Sequence, residues 1–343
     1  MKVFITGIAG FIGICAAKRL SEEGNEVIGI DNLSRPGSEH NISLLLGKTS
    51  SIEFIEGDIR DENTIDDIFS KRKFDLVLHL AGQVAVTNSL KNPRRDLEDN
   101  IIGTFNILEA LRKTNSDAML IFSSTNKVYG ELSDLQTSEE QKRYCFKSVR
   151  SISEERRLDF HSPYGCSKGA ADQYVIDYSR CFGLKTSSFR QSCIYGYNQF
   201  GLEDQGWVAH FTISAYFDRE IKIYGNGKQV RDVLFIDDLI SAYEMAYKNV
   251  DRVVGKAYNI GGGDKFTLSL LELIEMLEKK LGRKIKYSFH KERMGDQKVY
   301  ISDIQRAKAD FYWEPQINPE KGLNKLLEWV EANREVIKKV LNL

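Results

Sequence analysis

MKVFITGIAGFIGICAAKRL, residues 1–20, is the stretch of sequence that decides the fold. Its apolar run Val3–Thr6 leads into glycines at positions 7, 10 and 13, and an apolar segment with helical periodicity follows. Three glycines alone are a weak signal, because glycine also serves ordinary tight turns. Here they follow a strand-length run and open a helix, so backbone N–H groups at the helix start can approach a pyrophosphate. The segment therefore predicts a dinucleotide-binding turn.

Strand-length apolar runs alternate with segments of helical periodicity along the first half of the chain. Continuous apolar runs suit strands that are covered on both faces, and right-handed crossovers join such strands. The alternation predicts an α/β protein with a Rossmann-type, doubly wound parallel sheet. Its predicted strands are Val3–Thr6, Glu26–Ile30, Ile52–Glu56, Leu76–Leu80, Met119–Ser123 and Lys185–Phe189.

The pattern becomes irregular after position 189, which predicts a second, smaller and partly discontinuous C-terminal domain for the substrate. We expect residues 1–189 to form the dinucleotide-binding domain, with residues 231–260 returning to it. Residues 190–230 and 261–343 are then expected to form the substrate-binding domain.

The composition is that of an ordinary globular protein, with 42% apolar residues, 28% charged residues and a formal net charge of −1. This balance argues against a nucleic-acid or membrane partner, and no apolar run approaches the ~18 residues of a membrane span. Met1 and Lys2 lead straight into the first strand, which leaves no room for a signal peptide. Five cysteines without CxxC spacing indicate free thiols and a cytoplasmic location. Dispersed histidines give no support to a metal site.

Asp31 ends the second predicted strand, 18 residues after Gly13. A carboxylate there would accept hydrogen bonds from the adenosine ribose and repel a 2′-phosphate, which favours NAD over NADP. Arg35 lies nearby and weakens this argument, because an arginine can pair with a phosphate. The alternative interpretation of Asp31 is a turn or helix-capping residue.

Two later strand ends could complete the NAD site. Asp58 and Ile59 follow the third strand, where they could contact the adenine amino group and ring; a turn carboxylate is the alternative. Residues 80–83 end the fourth strand, where small residues let a cofactor lie close to the backbone, and Gln83 is expected to point towards the nicotinamide. His79 is expected to be a hydrogen-bonded core histidine. The residues expected to contact NAD are Gly7, Gly10, Phe11, Ile12, Gly13, Asp31, Asn32, Asp58, Ile59, Leu80, Ala81, Gly82, Gln83, Asn100, Tyr164 and Lys168.

Tyr164 and Lys168 are four residues apart, so a helix presents both side chains on one face. An ammonium group and an oxidised nicotinamide would both favour the phenolate of a tyrosine whose ordinary pKa is ~10. Lys168 could also orient the nicotinamide ribose. The alternative is a solvated helix face with an aromatic contact. The fifth strand places Thr125 at the ligand-binding edge of the sheet, where its hydroxyl could hold the sugar oxygen that is oxidised.

With the glycine turn, the Ser123-Ser124-Thr125 strand end and the Tyr/Lys helix in this order, the chain resembles the extended short-chain dehydrogenase/reductase family that modifies nucleotide sugars. Within it, residues 123–130, 159–168 and 204–208 look like the members that invert C2 of a CDP-linked deoxyhexose. The resemblance implies that Thr125, Tyr164 and Lys168 form the catalytic group. It implies a substrate site formed by Thr125, Asn126, Gln191, Gln205, Trp207, Val208, Tyr224, Asn226, Arg231 and Arg293. Trp207 could instead belong to the core, and surface ion pairs are the alternative for the arginines.

One local feature distinguishes between chemistries. Related sugar-nucleotide 4,6-dehydratases carry an Asp-Glu pair after the strand-end threonine, which supplies acid and base for elimination of water. The corresponding residues here are Asn126 and Lys127. Without that pair, reversible oxidation of the sugar is expected, and the resemblance implies that it inverts C2 of a CDP-linked deoxyhexose, CDP-paratose to CDP-tyvelose, through a 2-keto sugar.

Three other functions stay open on the sequence. A 4-epimerase would use the same glycine, Tyr and Lys elements through a 4-keto sugar, and a 4,6-dehydratase or a noncatalytic NAD-binding regulator could share the fold. The resemblance also implies a homodimer or homotetramer, in which helices near Pro93–Arg112 and Pro163–Arg180 pack as an intersubunit four-helix bundle.

Overall fold

The computed structural model describes residues 1–47, 51–114, 117–293 and 295–343. Its main feature is a seven-stranded, all-parallel sheet with the strand order β12-β8-β5-β4-β1-β2-β3. The Rossmann-type fold class predicted from the sequence is confirmed. The strands, in chain order, are β1 (Lys2–Thr6), β2 (Glu26–Asp31), β3 (Ile52–Glu56), β4 (Leu76–His79), β5 (Met119–Thr125), β6 (Thr137–Glu139), β7 (Tyr144–Phe146), β8 (Thr186–Gln191), β9 (Cys193–Tyr195), β10 (Ile221–Tyr224), β11 (Val230–Phe235), β12 (Ala257–Ile260), β13 (Thr267–Ser269), β14 (Tyr287–His290) and β15 (Val299–Tyr300).

Helices cover both faces of this sheet. Residues Glu98–Ile102 form a π-helical segment between two α-helices, and Asn126–Tyr129 form a 3₁₀ turn directly after β5. The α-helices are α1 (Phe11–Glu22), α2 (Ser38–Leu46), α3 (Glu62–Lys71), α4 (Val86–Lys91), α5 (Pro93–Leu97), α6 (Gly103–Thr114), α7 (Ser162–Phe182), α8 (Trp207–Tyr216), α9 (Ile236–Lys248), α10 (Val250–Val253), α11 (Leu270–Leu281), α12 (Gln305–Phe311), α13 (Pro319–Ala332) and α14 (Arg334–Leu341).

Strand β1 shows why the sheet is buried on both sides. Its side chains alternate between two apolar clusters: Val3 and Ile5 pack in one cluster with α1 and α9, and Phe4 packs in the other with α3 and α6. Fully covered strands of this kind produce the continuous apolar runs of the sequence. His79 is buried, and its ring nitrogens hydrogen-bond the hydroxyls of Thr6 at 2.7 Å and Thr104 at 2.9 Å, which confirms the predicted core role.

The strand order reverses between β1 and β4, and a crevice at the carboxyl ends of those strands is where doubly wound sheets bind ligands. Strands that follow residue 190 in the chain form two smaller sheets. One has the order β13-β11-β15, with β9 also paired to β11, and the other is the parallel pair β10-β14. Residues 231–260, predicted to return to the first domain, divide between the large sheet and the first of these smaller sheets, since β12 joins the large sheet and most of β11 the small one. The domain boundaries themselves stay a prediction.

Gly13 lies where the first turn of α1 crosses the β1 turn. A Cβ at this position would overlap the Gly7 carbonyl oxygen and lie 2.7 Å from the Ile8 Cα, and these are backbone atoms that cannot rotate away. We therefore expect Gly13→Ala to lower the free energy of unfolding by about 1–3 kcal/mol, the usual cost of overpacking. Denaturant unfolding would measure this change.

Gly47→Ala is the matched control for this prediction. Gly47 has φ −74°, and its added Cβ would meet only ordinary contact, 3.4 Å from the Ser43 carbonyl oxygen. Its change in stability should stay within about 0.5 kcal/mol. Equal stabilities of the Gly13→Ala and Gly47→Ala proteins would contradict the close packing of the turn.

Candidate active site

Two adjoining cavities open along the carboxyl edge of the large sheet. The glycine-turn cavity, which includes Gly7, Gly10 and Gly13 in its wall, holds about 370 Å³. The tyrosine cavity, which includes Thr125, Tyr164 and Lys168, holds about 510 Å³. Together they form one cleft, because both are lined by the same six residues: Phe11, Ile12, Leu80, Val84, Gln199 and Gln205.

The glycine turn is built to receive an anion. Gly10 is the N-cap of α1, and among the described residues no side chain caps this helix. Its first N–H groups are therefore available to a ligand, at the positive end of the helix dipole. Gly7 has φ 75°, and a Cβ there would lie 2.9 Å from the Ala81 amide nitrogen. The turn therefore packs directly on the segment that follows β4, and glycine is required for that approach.

Asp31 lines the glycine-turn cavity and also organises its own loop. Its Oδ2 accepts from the Ala9 amide at 3.0 Å and its Oδ1 from the Leu33 amide at 2.8 Å. Burial raises the pKa of Asp31, and these hydrogen bonds and Arg35 oppose the rise. The two interpretations of Asp31 thus coexist, because a turn carboxylate still faces the cavity. Arg35 lines the same wall and donates to the Gln205 amide oxygen.

The Asp58 carboxylate accepts hydrogen bonds from neighbouring side chains that the sequence analysis did not predict. Arg60 donates to it twice, from Nε at 2.9 Å and from Nη2 at 2.7 Å, and the Asn32 amide donates at 3.0 Å. The Arg60 hydrogen bonds hold the pKa of Asp58 well below its ordinary value. Asp58 and Ile59 both line the cavity. Their predicted contact with adenine stays a prediction, and the Asp58 carboxylate that would make it already pairs with Arg60.

Most of the predicted contact residues meet in this cleft. The predicted cofactor residues at positions 7–83 all line the glycine-turn cavity, and Tyr164 and Lys168 line the tyrosine cavity with nine of the ten predicted substrate residues. Two residues lie outside the lining. Asn100 is buried behind Gly82, whose added Cβ would lie 2.5 Å from the Asn100 Oδ1. Asn226 turns away and donates to the Tyr144 hydroxyl at 2.7 Å.

The catalytic candidates converge at the edge of β5. Thr125 ends β5 and hydrogen-bonds Tyr164, which lies in the first turn of α7 after Pro163. Burial raises the pKa of Tyr164 to about 12, and the hydrogen bond to Thr125 opposes this. Burial lowers the pKa of Lys168 to about 7, and Asp172 and Asp96 oppose it. The Lys168 ammonium lies 4.0 Å from the centre of the Phe122 ring. The tyrosine is therefore protonated at neutral pH in the protein alone.

Behind this pair lies a buried carboxylate that sequence reasoning missed. Asp96 accepts hydrogen bonds from the Gln83 amide at 2.6 Å and the Ser167 hydroxyl at 2.5 Å, with the Asn100 amide at 3.4 Å. Gln83 lines the cavity, and its amide nitrogen donates to the Ala85 carbonyl oxygen and to Asp96; its predicted position at the nicotinamide end stays a prediction. A single acidic residue in a polar stretch carries no signal of burial, and only the tertiary contact identifies it.

The opposite wall of the tyrosine cavity carries positive charge. Arg231 forms an ion pair with Asp296 at 2.6 Å, and the Lys127 ammonium lies 3.9 Å from the same carboxylate and 3.5 Å from the Gln297 amide oxygen. Burial lowers the pKa of Lys127, and Arg231 adds to this effect. Two cations thus share one carboxylate, which leaves positive charge for an anionic ligand. Asp296 and Lys127 were not among the predicted contacts.

Further wall residues come from the small sheets and the loop before α8. The Arg293 guanidinium lies 3.9 Å from the centre of the Tyr224 ring and pairs with Asp204 at 3.3 Å. Trp207 lines the cavity, and its indole N–H is buried beside the Cys193 thiol. Sequence reasoning missed several lining residues that lack a local motif: Cys193, Asn198, Gln199, Phe200, Glu203 and His210.

All five cysteines are free thiols. Within residues 1–47, 51–114, 117–293 and 295–343, no three His, Cys, Asp or Glu side chains are grouped as metal ligands would be. Across the same residues, no helix has both the length and the apolar character needed to span a bilayer.

A glycine turn after β1, a threonine at the end of β5 and a Tyr/Lys pair on the next long helix together define an extended short-chain dehydrogenase/reductase. The sequence model of the family described as GDP-mannose 4,6 dehydratase matches residues 4–326, and the chain belongs to this family of epimerases and dehydratases. The protein is therefore an enzyme of the NAD-dependent nucleotide-sugar epimerase/dehydratase class.

Individual relatives narrow the comparison. The chain is 44% identical to CDP-paratose 2-epimerase of Salmonella typhi over 338 residues, which cover 97% of this chain and 100% of that protein. The solved UDP-glucose 4-epimerase of Thermotoga maritima with UDP-glucose is 31% identical, with a TM-score of 0.84 over 97% of this chain and 100% of that one. The UDP-glucuronic acid 4-epimerase of Bacillus cereus, in complex with UDP-glucuronic acid and NAD, is 29% identical, with a TM-score of 0.84 over 97% and 99%.

Proposed function

We propose that this enzyme uses NAD to invert C2 of a CDP-linked deoxyhexose, converting CDP-paratose to CDP-tyvelose. The observation that carries the proposal is the 44% identity to a CDP-paratose 2-epimerase over 97% of the chain. The site supports it, because Thr125, Tyr164 and Lys168 converge at one end of a cleft with a glycine turn at the other.

The glycine-turn cavity fits NAD. The uncapped start of α1 would offer N–H groups to the pyrophosphate, and the Asp31 carboxylate lines the same cavity, where it would accept hydrogen bonds from the adenosine ribose. The closeness of Asp31 disfavours a 2′-phosphate, while Arg35 would pair with the pyrophosphate or with Asp31. When bound, NAD supplies the acceptor and then the donor of the two electrons and the hydrogen that leave and return at the sugar carbon.

Side chains of the protein transfer the proton in this reaction. Tyr164 takes the proton of the sugar 2-hydroxyl as that carbon is oxidised to the 2-keto sugar, and it returns the proton after the sugar has presented its other face. Thr125 hydrogen-bonds Tyr164 and can hold the same sugar oxygen. Lys168, one helical turn away, favours the phenolate. Substrate and product differ only at C2, so protons and electrons balance over the cycle.

The positive wall supplies the anchor that such a cycle needs. Arg231, Lys127 and Arg293 all line the tyrosine cavity and could hold the substrate diphosphate while the sugar turns over. A forked guanidinium suits phosphate oxygens, and the charge left over after Asp296 is paired favours a dianion.

Elimination is disfavoured by the residues after Thr125. Asn126 and Lys127 line the tyrosine cavity at the positions where related dehydratases carry an acid and a base. An amide does not transfer a proton at neutral pH, and Lys127 lies beside Arg231 and Asp296 as part of the positive wall. Reversible oxidation and reduction then remain.

Incubation of the purified enzyme with CDP-paratose and with UDP-glucose in deuterated water tests the proposal. We expect NMR to show inversion at C2 of the CDP-sugar without deuterium at carbon, because the hydrogen returns from the cofactor. Inversion at C4 would establish a 4-epimerase instead, deuterium at C5 or C6 would indicate elimination, and no turnover of any sugar with NAD bound would favour a regulator.

The buried state of Tyr164 leads to a prediction about pH. Burial raises the pKa of Tyr164 to about 12 in the protein alone, and a bound nicotinamide cation should lower it. Because the phenolate is the proton acceptor, kcat/KM should rise with pH and level off well below pH 12.

Spectroscopic titration of tyrosinate provides the comparison for this profile. The difference between the cofactor-free protein and its Tyr164→Phe variant gives the pKa of Tyr164 without NAD. An identical pKa in this titration and in the kinetic profile of the NAD-bound enzyme would contradict the proposed effect of the cofactor.

A homo-oligomer fits the surface of α6 and α7. Phe105 and Tyr174 are both more than a third exposed, and their rings contact each other with centres 6.2 Å apart. Phe182, at the end of α7, and Ile102, at the end of the π-helical segment before α6, are also exposed. The intersubunit bundle implied by the family resemblance would cover them, and light scattering on the purified protein measures the oligomeric state.

A further inference from the structure

Asp96 is a buried carboxylate that the reaction described above does not use. It is 1% exposed and lies at the end of α5, just before the π-helical segment Glu98–Ile102. A π-helical turn inside a helix often marks a functional position. Here the π-helical segment begins two residues after Asp96 and contains Asn100, and both side chains hydrogen-bond Ser167 on α7.

The hydrogen bonds of Asp96 are those of an ionised carboxylate. Gln83 and Ser167 donate to different oxygens, at 2.6 Å and 2.5 Å, and Asn100 adds a longer contact. An ionised carboxylate only accepts hydrogen bonds, so amide and hydroxyl donors satisfy it. In the described part of the chain, no Lys or Arg forms an ion pair with Asp96.

The other buried carboxylate on this side behaves differently. Asp172 is paired with Arg190, whose Nη2 and Nε lie 2.8 Å and 3.1 Å from its two oxygens. That pair is neutral as a unit. Asp96 has no such partner: in the described part of the chain no guanidinium pairs with it, and Lys168 is its nearby cation.

Asp96 is close to the catalytic pair. Ser167, which donates to it, lies between Tyr164 and Lys168 in sequence, and Gln83 connects it to the wall of the glycine-turn cavity. Burial is the largest influence on the pKa values of Tyr164 and Lys168, and the charge of Asp96 raises both. Asp96 is therefore held, through its hydrogen bond with Ser167, against the part of α7 that carries Tyr164 and Lys168.

We propose that Asp96 is a positioning charge that biases the bound cofactor towards oxidised NAD. This inference rests on the NAD site of the proposed function. The oxidised nicotinamide is a cation and the reduced one is neutral, so a buried negative charge nearby stabilises the oxidised form selectively. A preference for oxidised NAD favours return of the hydride to the keto sugar. This return protects an epimerase, because a keto sugar that escaped first would leave the cofactor reduced and the enzyme inactive.

The test measures cofactor preference without any sugar. Dissociation constants for NAD and NADH are determined by calorimetry on full-length protein freed of cofactor, for wild type, Asp96→Asn and Glu98→Gln. Asparagine keeps the shape and the acceptor for Gln83 but removes the charge. We expect Asp96→Asn to lose tenfold or more of the wild-type preference for NAD over NADH, which corresponds to about 30 mV or more for a two-electron couple.

Glu98→Gln is the matched control, because it removes one negative charge two residues away, from a side chain that pairs with Arg94 at the surface. Its preference should equal that of wild type. Should Asp96→Asn not fold, as judged by circular dichroism, Asp96→Ser removes the charge and keeps a hydroxyl oxygen.

An unchanged ratio of the two dissociation constants in a folded Asp96 variant would overturn the inference. It would mean that Asp96 serves only to keep Lys168 protonated. If Lys168 lost its proton when Asp96 lost its charge, the net charge near the nicotinamide would not change. Failure of the wild-type protein to bind either cofactor would instead refute the NAD site itself, so the two failures are distinguishable.

Discussion

Replacing Tyr164 by phenylalanine should lower kcat by ~10²–10⁴-fold, the range that a positioned general acid–base group contributes. The ring and its packing in the wall of the tyrosine cavity are kept, and only the group that exchanges a proton with the sugar hydroxyl is removed. Because Thr125 loses its partner but the glycine turn is untouched, NAD should still bind. Turnover of the CDP-sugar, followed by NMR, and NAD binding, followed by calorimetry, measure the two effects separately.

Tyr174→Phe is the control for this substitution, since Tyr174 is on the same helix but 45% exposed and outside both cavities. Its kcat should equal that of wild type. A Tyr164→Phe enzyme with full epimerase activity would exclude Tyr164 as the proton acceptor. Loss of NAD binding in that variant would show that the hydroxyl acts on the cofactor instead.

Replacing Arg190 by methionine should lower the free energy of unfolding by about 3–5 kcal/mol, the usual cost of leaving one partner of a buried ion pair alone. Arg190 and Asp172 are both almost fully buried, and Asp172 accepts two hydrogen bonds from the guanidinium. Arg190 also donates to the Tyr129 hydroxyl at 3.1 Å, so the pair ties α7 to β8 and to the turn after β5. Denaturant unfolding at neutral pH measures the loss.

Lys256→Met provides the contrast, because the Lys256–Asp310 pair, at 2.8 Å, is much more exposed. Exposed pairs contribute about 0–1 kcal/mol. The Arg190 effect should also depend on pH. Arg190 and other partners hold the pKa of Asp172 below its ordinary value despite burial, so the stabilisation is present above the unfolded-state pKa of ~3.9 and is lost as the pH falls through the folded-state value. Equal losses for the two variants would contradict the importance of burial.

The sequence predicted the frame of the site because that information is local. The glycine turn lies between a strand and a helix that are adjacent in the chain, and the predicted strand Val3–Thr6 differs from the observed Lys2–Thr6 by one residue. The four-residue spacing of Tyr164 and Lys168 places them on one face of α7 wherever that helix packs. Parallel strands then bring the ends of β1, β2, β4 and β5 to one edge.

What the sequence missed depends on contacts between distant positions. Asp58 is the local exception, because Arg60, only two residues later, donates two hydrogen bonds to the carboxylate that was expected to bind adenine. The partner of Gln83 could not be predicted either, since its amide donates to the buried carboxylate of Asp96, 13 positions later. Asn226 was placed in the substrate site by resemblance, and it contacts Tyr144 outside the cavity lining. The hydrogen-bond partner of each of these side chains is identified only in the folded chain.

By itself, the sequence determined the doubly wound sheet, the position of the glycine turn and the composition of the catalytic pair, because periodicity and short spacings fix strands, helices and the residues on one helical face. The tertiary structure alone decided which charges meet at the site. It placed Asp96 against Ser167, 71 positions later, and Lys127 near Asp296. Charge interactions depend on distance and burial, and neither can be read from the order of residues.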